Sequence, residues 1–453
     1  MIYQKISNLV NKVFQTPNNT GSWFGYYNYD TLNCNQTRML SHRTCNDAQA
    51  IRKGMTVELG YYEIPSGLWH PFGVSDSYSW QQGSMLQWLP GEGNENKVIY
   101  NLSKNNHLIS RIQDVDTGAY NDINWSIYGI TPDGKKSIAL DMERSYWCRA
   151  YHYESVANEA VNLRVPPMDG IFEIDLINNT RKLLISINDI IEVDKEPYFD
   201  TAKHWLEHIM ISPNGKRFCF LHRFTIGSLD EYETRLFIAD IDGTNLQLIP
   251  DWRIFYFSHF GWNGDDIFAI YAYESSIHQK ILAKYDLINN KATNLNAHGD
   301  LPKKRDFITC IKSFVPQSLR SKIWRIFFYK PTPQYYKYYK LINHNFVAID
   351  DLKDPLFSID GHPSFTKDGK YMITDSYPDN KGYQRLIVYN TYNKQSALIG
   401  KIYAGLYRKN GSCDLHPKLS INNDFLVVDS AFNGQHHMIL FKLNWELIKD
   451  KIG

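Results

Sequence analysis

The chain has 453 residues, a formal net charge of +1 and 14% aromatic residues. Its length is enough for a large hydrophobic core, and its balanced charge argues against non-specific binding to nucleic acid. The six cysteines include no Cys-x-x-Cys pair, and no segment has the length and apolarity of a membrane span. We therefore expect reduced thiols and a cytoplasmic protein.

Residues 1–20 lead into the rest of the chain. Between Met1 and Gln15 the apolar residues recur at helical spacing, with lysines and asparagines between them, and there is no continuous apolar run of the kind found in signal peptides. The pattern predicts a short N-terminal amphipathic helix packed on the domain formed by 21–453. Its apolar positions are Ile2, Ile6, Leu9, Val10, Val13 and Phe14.

A hairpin motif recurs from there on: an apolar strand, a turn of the Ser/Thr-Pro-Asp/Asn-Gly-Lys type and a second apolar strand. Asp-Gly and Asn-Gly favour tight hairpin turns. Seven copies at a spacing mostly near the roughly 40–50 residues of a four-stranded blade predict an all-β fold, a single seven-bladed β-propeller. Two stacked β-sandwiches would explain the strands but not the recurring motif. The clearest copies are at 130–135, 211–216, 365–370 and 419–424, and the weaker ones lie within 25–42, 86–101 and 259–271.

One stretch, about 301–355, is longer than the repeat needs, and we interpret it as an insertion. Between 301 and 340 ten Lys and Arg residues stand against the single acid Asp306, with Phe, Trp and Tyr interleaved. A solvated insertion that caps a blade would explain this composition. A patch that docks a partner protein or the membrane surface would explain it as well.

The hairpin turns also predict which side chains come together. Residues at equal distances from a turn lie side by side, which pairs His362 with Asp375, His416 with Asp429 and His208 with His222. The first strand of a blade lines the central channel, so these residues should gather at one end of the channel, here called the mouth. Several ionisable groups converging from different blades favour a functional site there. The predicted mouth residues are His42, Arg43, Asp141, Arg144, His204, His208, His222, Arg223, His259, His362, Asp375, Asp414, His416 and Asp429.

Three segments resemble a known group of enzymes. Asp360-Gly361-His362-Pro363-Ser364-Phe365-Thr366-Lys367-Asp368-Gly369-Lys370 and Asp414-Leu415-His416-Pro417 resemble the signatures of oligogalacturonate lyases, and more broadly the propeller-type polysaccharide lyases that include ulvan lyases. The segment from His204 to Arg223 is similar to the third-blade segment of that superfamily. TolB-like propellers share the His-Pro and Asp-Gly parts.

The resemblance implies β-elimination on a uronate-containing glycan, with a divalent metal that neutralises the uronate carboxylate, a base that removes the C5 proton and an acid or water that protonates the leaving O4. It implies a Mn²⁺ or Zn²⁺ site at His362 and His416, with Asp414 where the family has another histidine. The family's glutamine ligand has no counterpart, because 410–412 reads Asn-Gly-Ser.

The remaining roles are candidates. Arg223 could bind the carboxylate through its guanidinium, His208 or His222 could be the base, and Tyr146 or Tyr151 the acid. The second-blade histidines of the ulvan-lyase type are missing from 124–126 and 143–146. We also count His204 among the catalytic candidates, and the candidate substrate-binding residues are Arg43, Arg144, His259 and Asp375.

The sequence thus predicts a carbohydrate-active propeller, a lyase that cleaves an acidic oligosaccharide or polysaccharide at the channel mouth. The alternative is a non-catalytic propeller that binds glycans or acts as a scaffold in surface-polysaccharide assembly. A glycoside hydrolase on the same fold is disfavoured, because no pair of acidic residues stands at a hydrolase spacing that the sequence can establish.

Overall fold

The computed structural model describes residues 3–45, 51–148, 163–227, 229, 231–294, 333–343, 345–404 and 413–453. Its strands form seven antiparallel sheets, six of four strands and one of five. The sheets are the blades of a β-propeller, which confirms the predicted fold. None of the described helices is long and apolar enough to cross a membrane.

The strands of each blade are consecutive in the chain, except for the first two strands, which pair with strands far from them in sequence. These two are β1 (Gln4–Ile6) and β2 (Val10–Gln15). The first blade comprises β3 (Gly21–Trp23), β4 (Arg38–Thr44), β5 (Val57–Glu63) and β6 (Trp69–Ser75). The second comprises β7 (Gln87–Trp88), β8 (Lys97–Lys104), β9 (His107–Asp114) and β10 (Tyr120–Ile123). The third comprises β11 (Gly129–Ile130), β12 (Lys136–Ala139), β13 (Gly170–Asp175) and β14 (Thr180–Ser186).

The other four blades repeat this order. The fourth blade comprises β15 (Lys203–Ile211), β16 (Arg217–Thr225), β17 (Glu233–Asp240) and β18 (Gln247–Leu248). The fifth comprises β19 (Phe255–Trp262), β20 (Ile267–Glu274), β21 (Gln334–Ile342) and β22 (Asn345–Leu352). The sixth contains β23 (Ser364–Phe365), β24 (Tyr371–Asp375), β25 (Tyr383–Asn390) and β26 (Ser396–Tyr403), and the seventh contains β27 (Lys418–Leu419), β28 (Phe425–Phe432) and β29 (Gln435–Leu443). The described helices are α1 (Met142–Cys148), α2 (Ile187–Glu192), α3 (Ile277–Asn294) and α4 (Trp445–Ile452), with a 3-10 helix at Pro355–Phe357.

The recurring turn motif has a local cause. In the third blade the Thr131 hydroxyl donates to Asp133 at 2.6 Å, and Asp133 accepts the N–H of Lys135. Gly134 follows at φ +69°, in the left-handed region that favours glycine. The sixth blade repeats the same Thr-to-Asp bond, from Thr366 to Asp368 at 2.6 Å. The motif therefore marks the turn between the first two strands of a blade.

The beginning of the chain departs from the prediction. β2 pairs with β29 in the register Val10↔Leu443 and completes the seventh blade, while β1 pairs with β26 and adds a fifth strand to the sixth. The predicted N-terminal helix is therefore wrong. The free edge of β29 supplies the hydrogen-bonding partner that makes this segment a strand, and burying that edge also closes the ring.

The predicted insertion at 301–355 also needs correction. Its last part forms β21 and β22, the third and fourth strands of the fifth blade, and the tyrosines at 336 and 339 are buried there. The extra chain instead lies between β20 and β21 and begins with α3. Residues 301–332 lie outside the described residues, so docking through the basic segment 301–340 stays a prediction.

Candidate active site at the channel mouth

Two tyrosines from the first blade occupy the mouth. Tyr26 and Tyr27 follow β3, and both are almost fully buried. The Tyr26 ring stacks on His208 at 5.0 Å and meets His416 edge-on at 5.2 Å, while the Tyr27 hydroxyl donates to the carbonyl of Phe260 at 2.6 Å. The histidines of four other blades are therefore packed around a plug that the first blade supplies.

The three predicted metal ligands come together beside this plug. His362 precedes β23, and Asp414 and His416 precede β27. One ligand atom from each lies within 4.8 Å of the others, and all three residues are buried. The two imidazole rings are 4.3 Å apart and nearly perpendicular. We call these three residues the His/Asp cluster.

Hydrogen bonds fix the orientation of both histidines of the cluster. His362 Nδ1 donates to Asp375 at 2.9 Å, and His416 Nδ1 donates to the carbonyl of Gly25 at 2.9 Å. Nε2 of His416 therefore carries the lone pair, and this buried atom has no hydrogen-bond partner among the described residues. An unmet buried acceptor costs about 1–3 kcal/mol, and a cation ligated there would remove that cost. The chemistry of these three side chains fits a divalent metal.

The charges of the cluster point the same way. Burial raises the pKa of Asp414 to about 6, although the nearby charge of His362 opposes this shift. Two amide groups donate to its carboxylate, Gln81 at 3.0 Å and Gln384 at 3.3 Å. Burial disfavours the charge of His362, but Asp375 outweighs it and raises the pKa of the imidazole. The carboxylates around the cluster therefore favour positive charge at His362.

His259 lies next to the cluster, with its ring 4.0 Å from that of His362. Its Nδ1 is 3.1 Å from a carboxylate oxygen of Asp360. Burial, followed by the charge of His362, lowers the pKa of His259. A neutral imidazole that donates through Nδ1 has a basic Nε2, so His259 has the form of an acid–base residue held by a carboxylate.

His208 stands at the mouth, but its partners differ from the predicted ones. It has φ +55° within an irregularity between Glu207 and Met210, where the register of β15 against β16 shifts. Its Nδ1 is 3.3 Å from the Gln82 amide, and its Nε2 is 3.4 Å from Glu207. The register shift turns its side chain toward Tyr26 rather than toward His222.

Arg223, predicted to bind the carboxylate of the substrate, is already paired with a carboxylate of the protein. Its guanidinium donates to Glu207 at 2.6 Å and lies over the ring of Tyr232 at 4.7 Å. Glu207 is almost fully buried and also accepts the indole N–H of Trp205 at 2.7 Å. Arg223 is thus linked to His208 through a shared carboxylate.

His204 and His222 do not fit the catalytic roles we expected. Both are 0% exposed and hydrogen-bonded to each other at 2.9 Å. The other nitrogen of His204 is 2.9 Å from the Phe199 carbonyl, and that of His222 accepts from Arg235 at 3.1 Å. Burial lowers the pKa of His204 to about 4 and that of His222 well below its ordinary value. The pair stabilises the interior of the fourth blade.

The two arginines predicted to bind substrate are also held by the protein. Arg144 is 1% exposed and donates to the carbonyls of Leu163, Arg164 and His204. Arg43 donates to the hydroxyl of Thr20 and lies over a tryptophan ring. Both positions fit a structural role better than the predicted contact with substrate. Tyr146 belongs to α1, but its side chain lies outside the described residues, as does Tyr151.

The two remaining predicted pairs have different outcomes. Asp375 contacts His362 as the hairpin register predicted, and it also accepts the backbone N–H of His416 at 3.1 Å. It therefore holds both histidines of the cluster. Asp429 instead pairs with Lys418 at 3.0 Å and accepts the N–H of Gly25 at 3.2 Å. It therefore holds the loop that orients His416 rather than His416 itself.

Several residues of the site carried no recognisable sequence signal. Four of them are positioned by long-range packing, because Tyr26, Tyr27, Gln81 and Gln82 contact blades far from their own in sequence. Asp360 begins the segment from Asp360 to Lys370, and its role depends on its contact with His259. The residues missed at the sequence level are Tyr26, Tyr27, Gln81, Gln82, Asp360, Tyr377 and Gln384.

Comparisons with known proteins agree on the fold. No protein-family model matches the chain, and no curated protein matches its sequence. An oligogalacturonate lyase solved in complex with manganese is similar in structure, with a TM-score of 0.58 and 12% identity over 99% of this chain and 98% of that one. The oligogalacturonate lyase of Vibrio parahaemolyticus gives 0.56 and 12%, over 97% and 96%. TolB of Acinetobacter baumannii is more distant, with a TM-score of 0.37 and 12% identity over 87% and 78%. The chain therefore resembles the oligogalacturonate lyases in fold over almost its whole length.

Proposed function

We propose that the protein is a lyase that cleaves a uronate-containing oligosaccharide or polysaccharide by β-elimination at the channel mouth. The observation that carries this proposal is the His/Asp cluster, whose ligand atoms lie within 4.8 Å of one another beside a histidine–carboxylate pair. The structural likeness to a lyase solved with manganese supports it.

His362, Asp414 and His416 would hold a divalent cation, Mn²⁺ or Zn²⁺ by ligand type. When bound, that cation supplies positive charge to the uronate carboxylate, which makes the C5 proton more acidic. Asp375 and the Gly25 carbonyl keep the two imidazoles in the orientation and tautomer that ligation needs.

In this proposal His259 is the base, in place of the predicted His208 or His222. Its Nε2 takes the C5 proton, the electrons of that bond form the C4=C5 double bond, and the C4–O4 bond breaks. The departing O4 receives a proton from the Tyr377 hydroxyl or from water. Asp360 orients the imidazole and stabilises the imidazolium that forms, and the Tyr377 ring lies edge-on to His259 at 5.8 Å.

An ultraviolet assay tests this proposal. The purified protein, supplied with Mn²⁺ and a panel of uronate glycans, should give the absorbance of an unsaturated uronate product. His259→Ala should lower kcat by about 10²–10⁴-fold, as expected for the loss of a general base. His70→Ala, a histidine on the outer strand β6, is the matched control and should keep full activity. A complete absence of ultraviolet-absorbing product across the panel would refute the lyase.

A second function, glycan binding without cleavage, is favoured by one observation. Arg223, the expected carboxylate-binding residue, is already paired with Glu207. A binding protein would keep its affinity for acidic glycans in His259→Ala and produce no unsaturated sugar. Calorimetric titration of wild type and variant measures the affinity, and the ultraviolet assay measures the product. A binding protein and a lyase both bind the glycan, but only the lyase forms product.

A further inference from the structure

A cavity of about 420 Å³ lies apart from the His/Asp cluster, between the second and third blades. Its volume falls within the roughly 300–1,000 Å³ of typical small-molecule sites. Aromatic, acidic and basic side chains share its lining. The lining residues that matter here are Trp125, Ser126, Asp141, Glu143, Phe172 and Arg181. We call it the side cavity.

The side cavity opens near the same end of the propeller as the cluster. Ser126 precedes the first strand of the third blade and Asp141 follows its second strand, which places both at the mouth side. A series of contacts continues inward: the Tyr128 hydroxyl accepts from Gln82 at 2.9 Å, and Gln82 is 3.3 Å from His208. The side cavity and the mouth therefore lie at the same end of the propeller and are linked through packed side chains.

The walls of the side cavity have the chemistry of a sugar site. The partly exposed Trp125 offers aromatic surface, and the Arg181 guanidinium lies 4.4 Å from the buried Phe172 ring and 5.8 Å from the Trp125 ring. An aromatic wall packs against the C–H face of a pyranose, while carboxylates and a guanidinium hydrogen-bond its hydroxyls. These groups lie together in one concave site of suitable size.

The charge of the side cavity disfavours an acidic sugar. Two carboxyl groups, Asp141 and Glu143, line it against the single guanidinium of Arg181. Burial, and then the charge of Asp141, raises the pKa of Glu143 to about 7. Behind them Asp169 is buried, and its Oδ2 has no hydrogen-bond partner among the described residues. Burial and neighbouring carboxyl groups thus already disfavour negative charge in the side cavity, so a further carboxylate is disfavoured there, whereas hydroxyl or amide N–H groups would find acceptors.

We propose that the side cavity binds a non-acidic sugar unit, so that the substrate is a heteropolymer that combines uronate with neutral or N-acetylated sugars. This inference rests on the proposed function, because the uronate is the unit placed at the His/Asp cluster. It separates the protein from one that acts on a polymer of uronate alone.

Calorimetric titration of the full chain without added metal tests the cavity. The probes are oligosaccharides of alternating glucuronate and N-acetylglucosamine, of alternating glucuronate and rhamnose, and of galacturonate alone. At least one alternating probe should bind 10-fold or more tightly than the galacturonate probe. Equal binding of all three probes, or of none, would overturn the inference.

Variants of the residues that line the side cavity test whether the oligosaccharide binds there. Trp125→Ala should weaken the preferred probe by about 10-fold or more, while Trp125→Phe, which keeps a ring, should retain most of the affinity. Tyr392→Ala removes an aromatic ring that is 73% exposed in a turn of the sixth blade and should change nothing. Thermal unfolding of each variant checks that it folds. Unchanged affinity in folded Trp125→Ala would overturn the inference.

The ultraviolet assay keeps this inference distinct from the lyase proposal. If an alternating probe binds through Trp125 but yields no unsaturated product with Mn²⁺, the lyase fails and the sugar site of the cavity stands. If the galacturonate probe is bound and cleaved as well as the alternating ones, and Trp125→Ala has no effect, the lyase stands and the cavity inference fails.

Discussion

Two pairs of histidines lie in this propeller and differ in what their nitrogens do. In the fourth blade, His204 and His222 use all four ring nitrogens in bonds to each other, to the Phe199 carbonyl and to Arg235. In the sixth and seventh blades, His362 and His416 each commit Nδ1 to a neighbouring oxygen, and Nε2 of His416 has no partner among the described residues.

The difference shows that a histidine's capacity for chemistry depends on the bonds already made to it. A satisfied pair holds a blade together, because its removal would leave buried donors unmatched. A pair tied at one nitrogen only is oriented and still has a lone pair for a metal. The following changes test this distinction, from the largest expected effect to the smallest.

Removing an open histidine, one with a ring nitrogen that is not hydrogen-bonded, should strongly weaken metal binding. His416→Ala should weaken Mn²⁺ binding by at least 100-fold, about 2.7 kcal/mol, because it deletes a ligand. His70→Ala provides the histidine control on an outer strand. Calorimetric titration with Mn²⁺ measures both, and equal affinity in the two variants would erase the distinction between the pairs.

Removing a satisfied histidine should affect stability instead. His222→Ala leaves the buried Arg235 without the acceptor for its Nε–H, so we expect a loss of about 2–4 kcal/mol in the free energy of unfolding, measured in urea. His222→Gln, whose amide oxygen can accept that bond, should recover part of the loss. Mn²⁺ affinity should be unchanged in the folded variants, and a large drop would contradict the structural role.

Weakening the support of an open histidine should have an intermediate effect. Asp375→Asn removes the carboxylate that accepts from His362 Nδ1, and the loss of such supporting groups typically costs 10–100-fold in metal affinity, roughly 1.4–2.7 kcal/mol. Asp379→Asn, in the loop between β24 and β25, is the matched control. A variant with wild-type Mn²⁺ affinity would show that Asp375 does not orient the ligand.

Charge in the interior of the fourth blade should register in the pH dependence of stability. Glu233 is almost fully buried, and burial raises its pKa to about 8. Between pH 5 and pH 8 the folded protein retains a proton that the unfolded chain, with a carboxyl pKa near 4.3, has released. Stability therefore falls as pH rises, on the order of 2 kcal/mol between pH 5 and pH 6.5. Glu233→Gln should flatten this slope in urea unfolding, and an unaltered slope would contradict the shift.

The sequence was most informative where structure is local. The Asp-Gly turns, with their Thr-to-Asp bonds, revealed the blades, and counting outward from them brought His362 to Asp375 correctly. The same counting failed at His208, because an irregularity at Glu207 shifts the register and no residue type announces it.

The errors concern contacts between distant parts of the chain. Val10 and its neighbours have apolar residues at helical spacing, but the edge of β29, more than 400 positions away, makes them a strand. The alternating tyrosines and lysines of β21 resembled a surface patch, although the sheet buries Tyr336 and Tyr339. Nor could a sequence pattern show that Tyr26 would fill the mouth.

The pairing of β2 with β29 also sets an order of events for a chain made from its N-terminus. The loop that carries Gly25 is among the first parts synthesised, and the segment that carries Asp414 and His416 is among the last. The hydrogen bond that orients His416 can form only after the first and seventh blades meet. The His/Asp cluster therefore reaches its final geometry late in folding, and the proposed binding of Mn²⁺ would report that the ring has closed.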